Sequence, residues 1–292
     1  MIDVMSVGDV GILNLVAIPG EHTARRSSAG PFLKWAGGKR QLLTEIKRRM
    51  PKEYGGYYEP FVGGGAIFFG TLHAPALISD TNQELINCYK IVRDQVEDLI
   101  VDLAKHENSE EYFYSIRAIQ PAALSRVERA SRFIYLNRTC FNGLYRVNRK
   151  GQFNVPYGRY KNPALIPADK LRAANTNLQG VEVEFADYRK VARMAETGDF
   201  IYLDPPYIPL SGYADFKRYT SDIFGIEQHR EMAALLGELD EKGVKFMVSN
   251  SDTPLSRELY RDWNIDAVVA RRLINCDATK REGALEVIVT NY

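Results

Sequence analysis

Four consecutive residues, Asp204-Pro205-Pro206-Tyr207, carry the strongest chemical signal in the sequence. They follow an apolar run at residues 200–203 that predicts a buried strand, and open α/β sheets bind ligands beyond the carboxyl ends of their strands. Pro206 favours an extended Pro205, which directs the Pro205 carbonyl beside the Asp204 carboxylate. Two acceptors and the Tyr207 ring predict a pocket for a planar ring with an exocyclic amine, and we expect all four residues to be catalytic. The alternative is a rigid double-proline turn with a buried tyrosine.

A glycine-rich segment, EPFVGGG at residues 59–65, gives the second signal because it joins a predicted strand to a predicted helix. Glycines at such a turn let a ligand approach the backbone closely. The segment does not match GxGxxG, and the chain has no GxxxxGK[ST], so neither a dinucleotide nor a triphosphate is specifically indicated. Asp80 ends the next predicted strand, where an acid accepts hydrogen bonds from ribose hydroxyls. The combination favours an adenosine-type cofactor over a simple turn.

A third segment, FLKWAGGKR at residues 32–40, places a tryptophan, two glycines and a lysine before a predicted helix. An aromatic wall, an open backbone and a cation suit a small zwitterion, because Lys39 can hold its carboxylate. Without its neighbours the segment would be a weak signal, since tryptophan is usually in the core and lysine usually solvated.

Predicted strands and helices alternate on either side of a helical middle. The order strand, glycine-rich turn, helix, strand and acid at residues 57–80 is typical of the front half of a nucleotide-binding α/β sheet. Helix candidates at residues 97–106 and 123–137 follow with no strand between them. The alternation resumes after about residue 178 and ends in two strands that we expect to be antiparallel. We predict an N-terminal extension (1–30) and one α/β domain in two parts (31–90 and 176–292), interrupted by a helical, basic insertion (91–175).

Charge is segregated along the chain although the whole sequence has a net charge of only +1. Residues 131–161 contain seven Arg or Lys, no Asp or Glu, and seven interleaved aromatic residues. The rest of the chain must therefore be net acidic. Such segregation predicts a local patch that faces phosphates rather than a uniformly basic coat.

The composition is that of an ordinary globular protein, with 45% hydrophobic and 26% charged residues among 292. It argues against collagen-like, disordered and disulfide-rich classes. No apolar run approaches the roughly 20 residues that span a bilayer, and the apolar stretch at residues 10–19 lacks the features of a signal peptide. Three isolated cysteines argue against structural zinc, so we expect no metal and a reducing, cytoplasmic setting.

Taken in order, these segments resemble the Dam and Dpn-type DNA adenine-N6 methyltransferases. The matching blocks are FLKWAGGKRQLL, YYEPFVGGGAIFF, SDTNQELIN, NGLYRVNRKGQFNVPYGRYKNP and YLDPPYIPLS. The resemblance covers residues 32–292, and the long fourth block is far more specific than Asp-Pro-Pro-Tyr alone. It implies a class I methyltransferase (Rossmann-like) mixed α/β sheet, with the helical insertion as the target-recognition part. It also implies S-adenosylmethionine as methyl donor without a metal, double-stranded DNA as substrate, and a cognate restriction endonuclease as a further partner.

Site residues follow from the matched motifs and the turn described above. Those expected to bind the cofactor are Trp35, Lys39, Glu59, Phe61, Gly63, Gly65, Asp80, Asp187, Tyr188 and Asp204. The expected base-reading positions are Leu144, Arg146, Asn148 and Pro156, and the expected phosphate contacts are Arg159, Tyr160 and Lys161. Phe141 matches an aromatic wedge, and Arg138 and Asn142 complete the expected DNA contacts.

The resemblance predicts methyl transfer to N6 of an adenine flipped out of the duplex, with GATC as target. Tyr145 and Val147 differ from some relatives, which bears on the recognition sequence rather than on the cofactor site. The alternatives are a cytosine-N4 methyltransferase, a DNA-binding protein without turnover and, least favoured, a nicotinamide-linked oxidoreductase; an RNA substrate stays open.

Two polar segments have two interpretations each. Residues 208–224 are too long for a tight turn and are either a segment that orders over substrate or an ordinary surface loop. Arg271, Arg272, Lys280 and Arg281 flank the last loop and either contact DNA phosphates or form a solvated face.

Overall fold

The computed structural model describes residues 30–209, 224–270 and 284–292. The predictions for residues 1–29 of the extension, for most of residues 208–224 and for the four basic residues of the last loop lie outside these ranges. No helix within them is both long and apolar enough to cross a bilayer. The same ranges hold no group of three or more His, Cys, Asp or Glu side chains placed to bind a metal ion.

A single mixed sheet is formed by the strands of the described chain. Their bounds are β1 Tyr57–Glu59, β2 Ala76–Asp80, β3 Val181–Phe185, β4 Phe200–Leu203, β5 Lys245–Ser251, β6 Asn264–Ala270 and β7 Ala284–Thr290. The order across the sheet is β3-β2-β1-β4-β5-β7-β6, with β7 antiparallel to both neighbours and the other pairs parallel. The expected antiparallel pairing of the last two strands is confirmed, as is the mixed α/β fold class.

Helices pack against the sheet, and five of them lie between β2 and β3 in the sequence. Within the described ranges they are α1 Leu43–Arg49, α2 Ala66–Thr71, α3 Gln83–Asp94, α4 Val96–Leu103, α5 Glu110–Ala118, α6 Arg126–Thr139, α7 Ala168–Leu178, α8 Tyr188–Met194, α9 Ile226–Glu241 and α10 Pro254–Leu259. Helices α4 and α6 correspond to the two predicted in the insertion, whereas α5, α7 and α8 are not predicted. Helices α3 to α7 all follow β2 and precede β3, which accounts for the helical middle of the sequence.

Two hydrophobic cores lie on opposite faces of the sheet, because its central strands are buried on both sides. Successive residues alternate between them: Tyr202 packs in the core that contains α1 to α3, and Leu203 packs in the core that contains α8 and α9. A smaller cluster around Phe113 and Tyr135 supports the chain that follows α6. The carboxyl edge of the sheet is therefore held rigidly from both faces.

The strand order reverses between β1 and β4, so this edge contains a topological switch point. Tyr58 pairs with Leu77 of β2 on one side and with Ile201 of β4 on the other. The residues that end or follow these strands consequently lie at one edge, where doubly wound sheets bind their ligands.

Candidate active site

A cavity of about 930 Å³ opens at the switch point. Its lining includes every predicted catalytic residue and all but one of the predicted cofactor residues: Trp35, Lys39, Glu59, Phe61, Gly63, Asp80, Asp187, Tyr188, Asp204, Pro205, Pro206 and Tyr207. The exception is Gly65, which is not among the lining residues. Its backbone is left-handed (φ +71°), and a Cβ at this position would come within 2.6 Å of the Tyr89 hydroxyl. The three sequence segments thus meet in one cavity.

Asp204 lies directly after β4 and is paired with Lys39. The Lys39 Nζ is 2.9 Å from Asp204 Oδ1, and it also donates to the Gly37 carbonyl at 2.9 Å. The same ammonium lies 4.4 Å from the centroid of the Tyr207 ring. Because the lysine side chain is only 9% exposed, the pair balances two charges that would be costly to leave alone in an enclosed site. It joins residues 32–40 to the Asp-Pro-Pro-Tyr segment.

Side chains of β5 and β7 hold the Asp-Pro-Pro-Tyr segment in place. Ser249 Oγ donates to Asp204 Oδ1 at 2.7 Å, and the Tyr207 hydroxyl donates to Glu286 Oε2 at 2.6 Å. Beyond the tyrosine, the Ile208 N–H donates to Asn250 Oδ1 at 3.0 Å. The aromatic face and the carboxylate are therefore fixed independently. No local motif marks Ser249, Asn250 or Glu286, so none of the three is predicted from the sequence.

Glu59 ends β1 and is a buried carboxyl group, 2% exposed, in the cavity wall. The Tyr57 hydroxyl donates to Glu59 Oε2 at 2.6 Å. Burial raises the pKa of Glu59 to about 8; the Tyr57 hydrogen bond lowers that pKa, and the nearby charge of Asp204 raises it. At neutral pH, Glu59 therefore presents a mostly protonated, uncharged carboxyl group to the cavity.

Because the pKa of Glu59 is raised in the folded state, the free energy of unfolding will fall as pH rises from about 4.5, the ordinary pKa of this group, to about 8. Over that window the folded protein keeps a proton that the unfolded chain has lost, so the free energy of unfolding falls with pH. Below the window both states hold the proton, and the stabilising contribution is fully present. Glu59→Gln removes the titrating group. We expect the melting temperature of Glu59→Gln, relative to that of the unchanged protein, to increase between about pH 5 and pH 8. A difference in melting temperature that does not depend on pH would contradict the assignment.

Asp80 and the glycine turn are joined by backbone hydrogen bonds. The Gly63 N–H donates to Asp80 Oδ2 at 3.1 Å, and the Asn82 N–H donates to Oδ1 at 2.9 Å. Burial raises the pKa of Asp80, and these backbone donors oppose the shift. Asp80 therefore both shapes the turn and presents a carboxylate to the cavity.

Gly63 approaches Trp35 so closely that a side chain would not fit between them. Its φ is +47°, and a Cβ would lie 2.8 Å from Trp35 Nε1. The indole in turn stacks on Tyr145, with ring centroids 5.6 Å apart and planes 18° from parallel. Trp35 is thus a wall shared by the cavity and by the basic segment, residues 131–161.

Three aromatic residues of the cavity lining, Phe61, Tyr188 and Phe224, form a corner. The rings of Phe61 and Tyr188 stack at 5.3 Å, and Phe224 meets Phe61 edge to face at 5.8 Å. Asp187 caps α8, its Oδ1 accepting from the Arg189 N–H at 2.9 Å. A planar ring can pack against this corner, with a carboxylate beside it.

The predicted DNA contacts lie outside the cavity, and all of them except Arg138 of α6 are on the chain between α6 and α7. A 3₁₀ helix, Phe141–Gly143, begins this chain, and the side chain of Phe141 is 50% exposed. Its N–H donates to the Pro156 carbonyl at 2.9 Å, and Asn142 has a left-handed φ of 55°. The turn presents an aromatic ring to solvent on a fixed backbone.

Arg146 and Asn148 lie on a short hairpin. The Asn154 N–H donates to the Arg146 carbonyl, and the guanidinium Nε donates to Asn154 Oδ1 at 2.7 Å. Asn148 Oδ1 accepts from the N–H groups of Lys150 and Gln152 at 2.9 and 3.0 Å. The hairpin therefore positions Arg146 as an exposed, partly preorganised cation.

The remaining predicted contacts differ in exposure. Leu144 is half-buried and packs on the cluster around Phe113, while Arg159 and Lys161 are exposed. Arg159 Nη2 lies 3.2 Å from Glu110 Oε1, and the Lys34 ammonium lies 4.7 Å from the Tyr160 ring centroid.

Two arginines of α6 do not fit the expectation that the whole basic segment faces phosphates. Arg132 is buried and donates to the carbonyls of Ile116 and Arg117 at 2.9 and 2.8 Å. Arg138 is half-buried, and its Nη2 donates to the Phe32 carbonyl at 2.8 Å. Both guanidinium groups connect chain segments, because buried carbonyls need donors as much as phosphates do. A DNA contact by Arg138 stays a prediction, whereas the Arg132 guanidinium is committed to protein carbonyls.

Comparison with known proteins gives the family. The profile of the D12 class N6 adenine-specific DNA methyltransferases matches residues 35–274. The chain belongs to this family. It is an adenine-specific DNA methyltransferase, so the resemblance seen in the motifs is confirmed. The alternatives of cytosine-N4 transfer, binding without turnover and nicotinamide chemistry are not favoured.

Relatives of this methyltransferase align over most of their length. It is 45% identical over 270 residues to Type II methyltransferase M1.LlaDCHI of Lactococcus lactis subsp. cremoris, covering 90% of this chain and 95% of the relative. It is 40% identical over 285 residues to Type II methyltransferase M.MjaIII of Methanocaldococcus jannaschii, covering 90% and 99%. A DNA adenine methylase of Haemophilus influenzae is 37% identical over 264 residues, covering 88% and 92%.

Proposed function

We propose that the methyltransferase transfers a methyl group from S-adenosylmethionine to N6 of an adenine flipped out of double-stranded DNA, within GATC. The observation that carries the proposal is that Asp80 and Asp204 line the same cavity. One carboxylate lies in the nucleotide-binding position of the sheet and the other in the amine-binding segment. A donor and an acceptor can therefore meet inside one enclosure.

The cavity suits S-adenosylmethionine in size and in the chemistry of its lining. Its volume, about 930 Å³, is at the upper end of the usual range for small-molecule sites and leaves room for a second ring. Asp80 would accept from the ribose hydroxyls, the corner of Phe61 and Tyr188 would hold the adenine, and Lys39 would hold the carboxylate of the amino-acid end. When bound, the cofactor supplies an electrophilic methyl group on a sulfonium.

Asp204 and the Pro205 carbonyl would prepare the target nitrogen. The lone pair of adenine N6 is delocalised into the ring, which makes N6 a weak nucleophile. Two acceptors that take its two hydrogens favour a pyramidal nitrogen with a localised pair, while Tyr207 stacks on the ring. The new N–C bond would form as the S–C bond of the sulfonium breaks, the sulfur would leave as a neutral thioether, and one N6 proton would be released to solvent. The protein contributes orientation and electrostatics, which together are worth several kcal/mol.

The helical insertion would recognise the duplex, and we propose residues 91–175 as the target-recognition part. Phe141, exposed on its 3₁₀ turn, would fill the stack that the flipped adenine leaves. Arg159, Tyr160 and Lys161 would contact phosphates and set the register. Leu144, Arg146, Asn148 and Pro156 would face base edges.

Arg146→Ala should relax sequence discrimination more than it weakens general DNA binding. A bidentate guanidinium contact with a guanine edge is worth about 1–3 kcal/mol of discrimination. We expect the ratio of methylation rates on GATC and on a duplex with that guanine replaced to fall by about tenfold or more. Arg149→Ala, at an exposed position of the same hairpin, serves as the control and should leave the ratio unchanged. Equal ratios for the two variants would remove Arg146 from base reading.

The recognition sequence is tested with duplexes that contain GATC or one of its single-base-pair changes. After incubation with methyl donor, each duplex is challenged with nucleases that differ in sensitivity to methylated GATC, and its nucleosides are identified by mass. We expect N6-methyladenine in GATC duplexes alone. N6-methyladenine in another sequence would refute GATC but keep the reaction, whereas N4-methylcytosine would refute the assigned acceptor. Because two relatives are named Type II methyltransferases, we also propose a cognate endonuclease for the same sequence.

A further inference from the structure

We propose that Ser249, supported by Tyr202, is a positioning residue that fixes the Asp204 carboxylate and leaves Oδ2 to accept the amine hydrogen of the target base. The inference rests on the proposed role of Asp204 in holding that amine. It adds two residues of the sheet to the site and assigns different tasks to the two oxygens of one carboxylate.

The neighbouring strands β4 and β5 place these side chains together. In the parallel register, Tyr202 pairs with Met247 and Leu203 pairs with Val248, so Asp204 and Ser249 come next on the two strands. Tyr202 is 1% exposed and Ser249 is fully buried. Their position depends on the rigid centre of the sheet and not on a loop.

Two hydrogen bonds link Tyr202, Ser249 and Asp204, and both are donated toward Asp204. Ser249 has a single hydroxyl hydrogen, and it donates this hydrogen to Asp204 Oδ1 at 2.7 Å, because an ionised carboxylate can only accept. The contact of 3.0 Å between the Tyr202 hydroxyl and Ser249 Oγ is therefore donated by Tyr202. Two neutral donors in series end on the carboxylate, where such bonds fix the rotamer of Asp204.

The contacts of Asp204 are distributed unequally between its oxygens. Within the described ranges, the hydrogen bond from Ser249 and the ion pair with Lys39 both fall on Oδ1. Oδ2 receives no protein donor among those residues, while the carboxylate lines the cavity. An anchored Oδ1 and an available Oδ2 are what an acceptor for a substrate amine requires, since the free oxygen is then held in one direction.

A purely structural role for Ser249 would be to stabilise the junction of β4 and β5. Such a role would affect the melting temperature and would leave the chemical step unchanged. Ser251 provides a matched control, because it lies on the same strand two residues later, is equally buried, and has a hydroxyl without a hydrogen-bond partner in the described chain. Ser251→Ala therefore makes the same chemical change without touching Asp204.

The test compares Ser249→Ala, Tyr202→Phe, their double variant, Ser251→Ala and Asp204→Ala. Single-turnover methyl transfer is measured on preformed complexes with DNA, together with DNA affinity and melting temperature. We expect Ser249→Ala to slow the transfer step about tenfold or more with DNA affinity unchanged, and Tyr202→Phe to slow it less. The double variant should be no slower than Ser249→Ala, because Tyr202 acts through Ser249. Ser251→Ala should match the unchanged enzyme.

The outcomes separate the two proposals. If Asp204→Ala is inactive but Ser249→Ala transfers methyl at the unchanged rate, the role of Ser249 is refuted and the proposed function stands. If the two single effects of Ser249→Ala and Tyr202→Phe multiply in the double variant, the support of Ser249 by Tyr202 is refuted. If Asp204→Ala itself keeps substantial activity, the proposed function fails. Should Ser249→Ala not fold, the Tyr202→Phe result decides, because an unchanged single-turnover rate in that variant also refutes the proposed positioning of Asp204 by Ser249 and Tyr202.

Discussion

Asp204→Ala should bind duplex DNA and fail to methylate it. The variant loses one of the two acceptors proposed for the target amine, and mutations that remove one preorganised electrostatic contact commonly cost about 10²–10³ in rate. We expect at least this loss in single-turnover transfer of a labelled methyl group to a GATC duplex. DNA affinity should change little, because the predicted phosphate contacts lie on the chain after α6, outside the cavity.

The variant also leaves Lys39 without its carboxylate partner at 2.9 Å, so part of any effect could come from an unpaired cation. A combined Lys39→Met and Asp204→Ala variant separates the two causes, since it removes both charges. If the acceptor matters, the double variant stays inactive at saturating methyl donor. Recovery of transfer would show that the lost activity came from Lys39, and substantial activity in Asp204→Ala alone would contradict the mechanism.

Asp80→Ala should weaken binding of S-adenosylmethionine by about 10- to 100-fold while the affinity for DNA persists. The carboxylate accepts from the backbone N–H groups of Gly63 and Asn82, and it lines the cavity where ribose hydroxyls are expected. Its loss removes a charge-assisted contact and frees the glycine turn. Both effects raise the dissociation constant of the cofactor.

Calorimetric titration with S-adenosylmethionine measures this dissociation constant directly. Asp262→Ala is a suitable control because that carboxylate is 77% exposed and lies outside the residues that line the cavity. The rate at saturating cofactor should recover partly in Asp80→Ala, because the residues proposed to bind the target amine are intact. Unchanged cofactor affinity would remove Asp80 from the site and would leave the cavity without its proposed ribose contact.

Local patterns in the sequence predict the strands and the cavity well. Strands β2 and β4 coincide with predicted strands, because fully buried strands read as continuous apolar segments between polar turns, whereas β3 alternates valine with glutamate. The cavity follows from the rule that ligands lie beyond the carboxyl ends of strands, and this rule brings Asp80 and Asp204 together. Their convergence on one cavity could therefore be predicted before the fold was known.

Other contacts have no local signature. Ser249 and Glu286 reach the Asp-Pro-Pro-Tyr segment from strands 45 and 79 residues further along the chain, and a serine or glutamate within a strand has no special pattern. Charge counting likewise cannot separate Arg132, which donates to buried carbonyls, from an exposed arginine such as Arg146. These distinctions depend on tertiary packing.

The helices that the sequence does not predict also depend on tertiary packing, and α5 is an example. Ser109 caps the start of helix α5, where its side chain accepts from the Tyr112 N–H, and the acids Glu110 and Glu111 begin the helix. These are recognised start signals, but the apolar face of α5 is short, with Phe113 as its buried residue. Tertiary contacts with α6 therefore stabilise this helix more than its own sequence does.

Photochemical cross-linking tests most directly whether the target base enters the cavity beside Asp204. A GATC duplex carries 5-iodouracil in place of the target adenine, and a second duplex carries it one position away. After irradiation with the full-length enzyme, the cross-linked peptide is identified by mass. We predict a cross-link to Tyr207 from the target position and none to Tyr207 from the neighbouring position. Cross-links confined to residues 141–161, from both positions, would contradict the account.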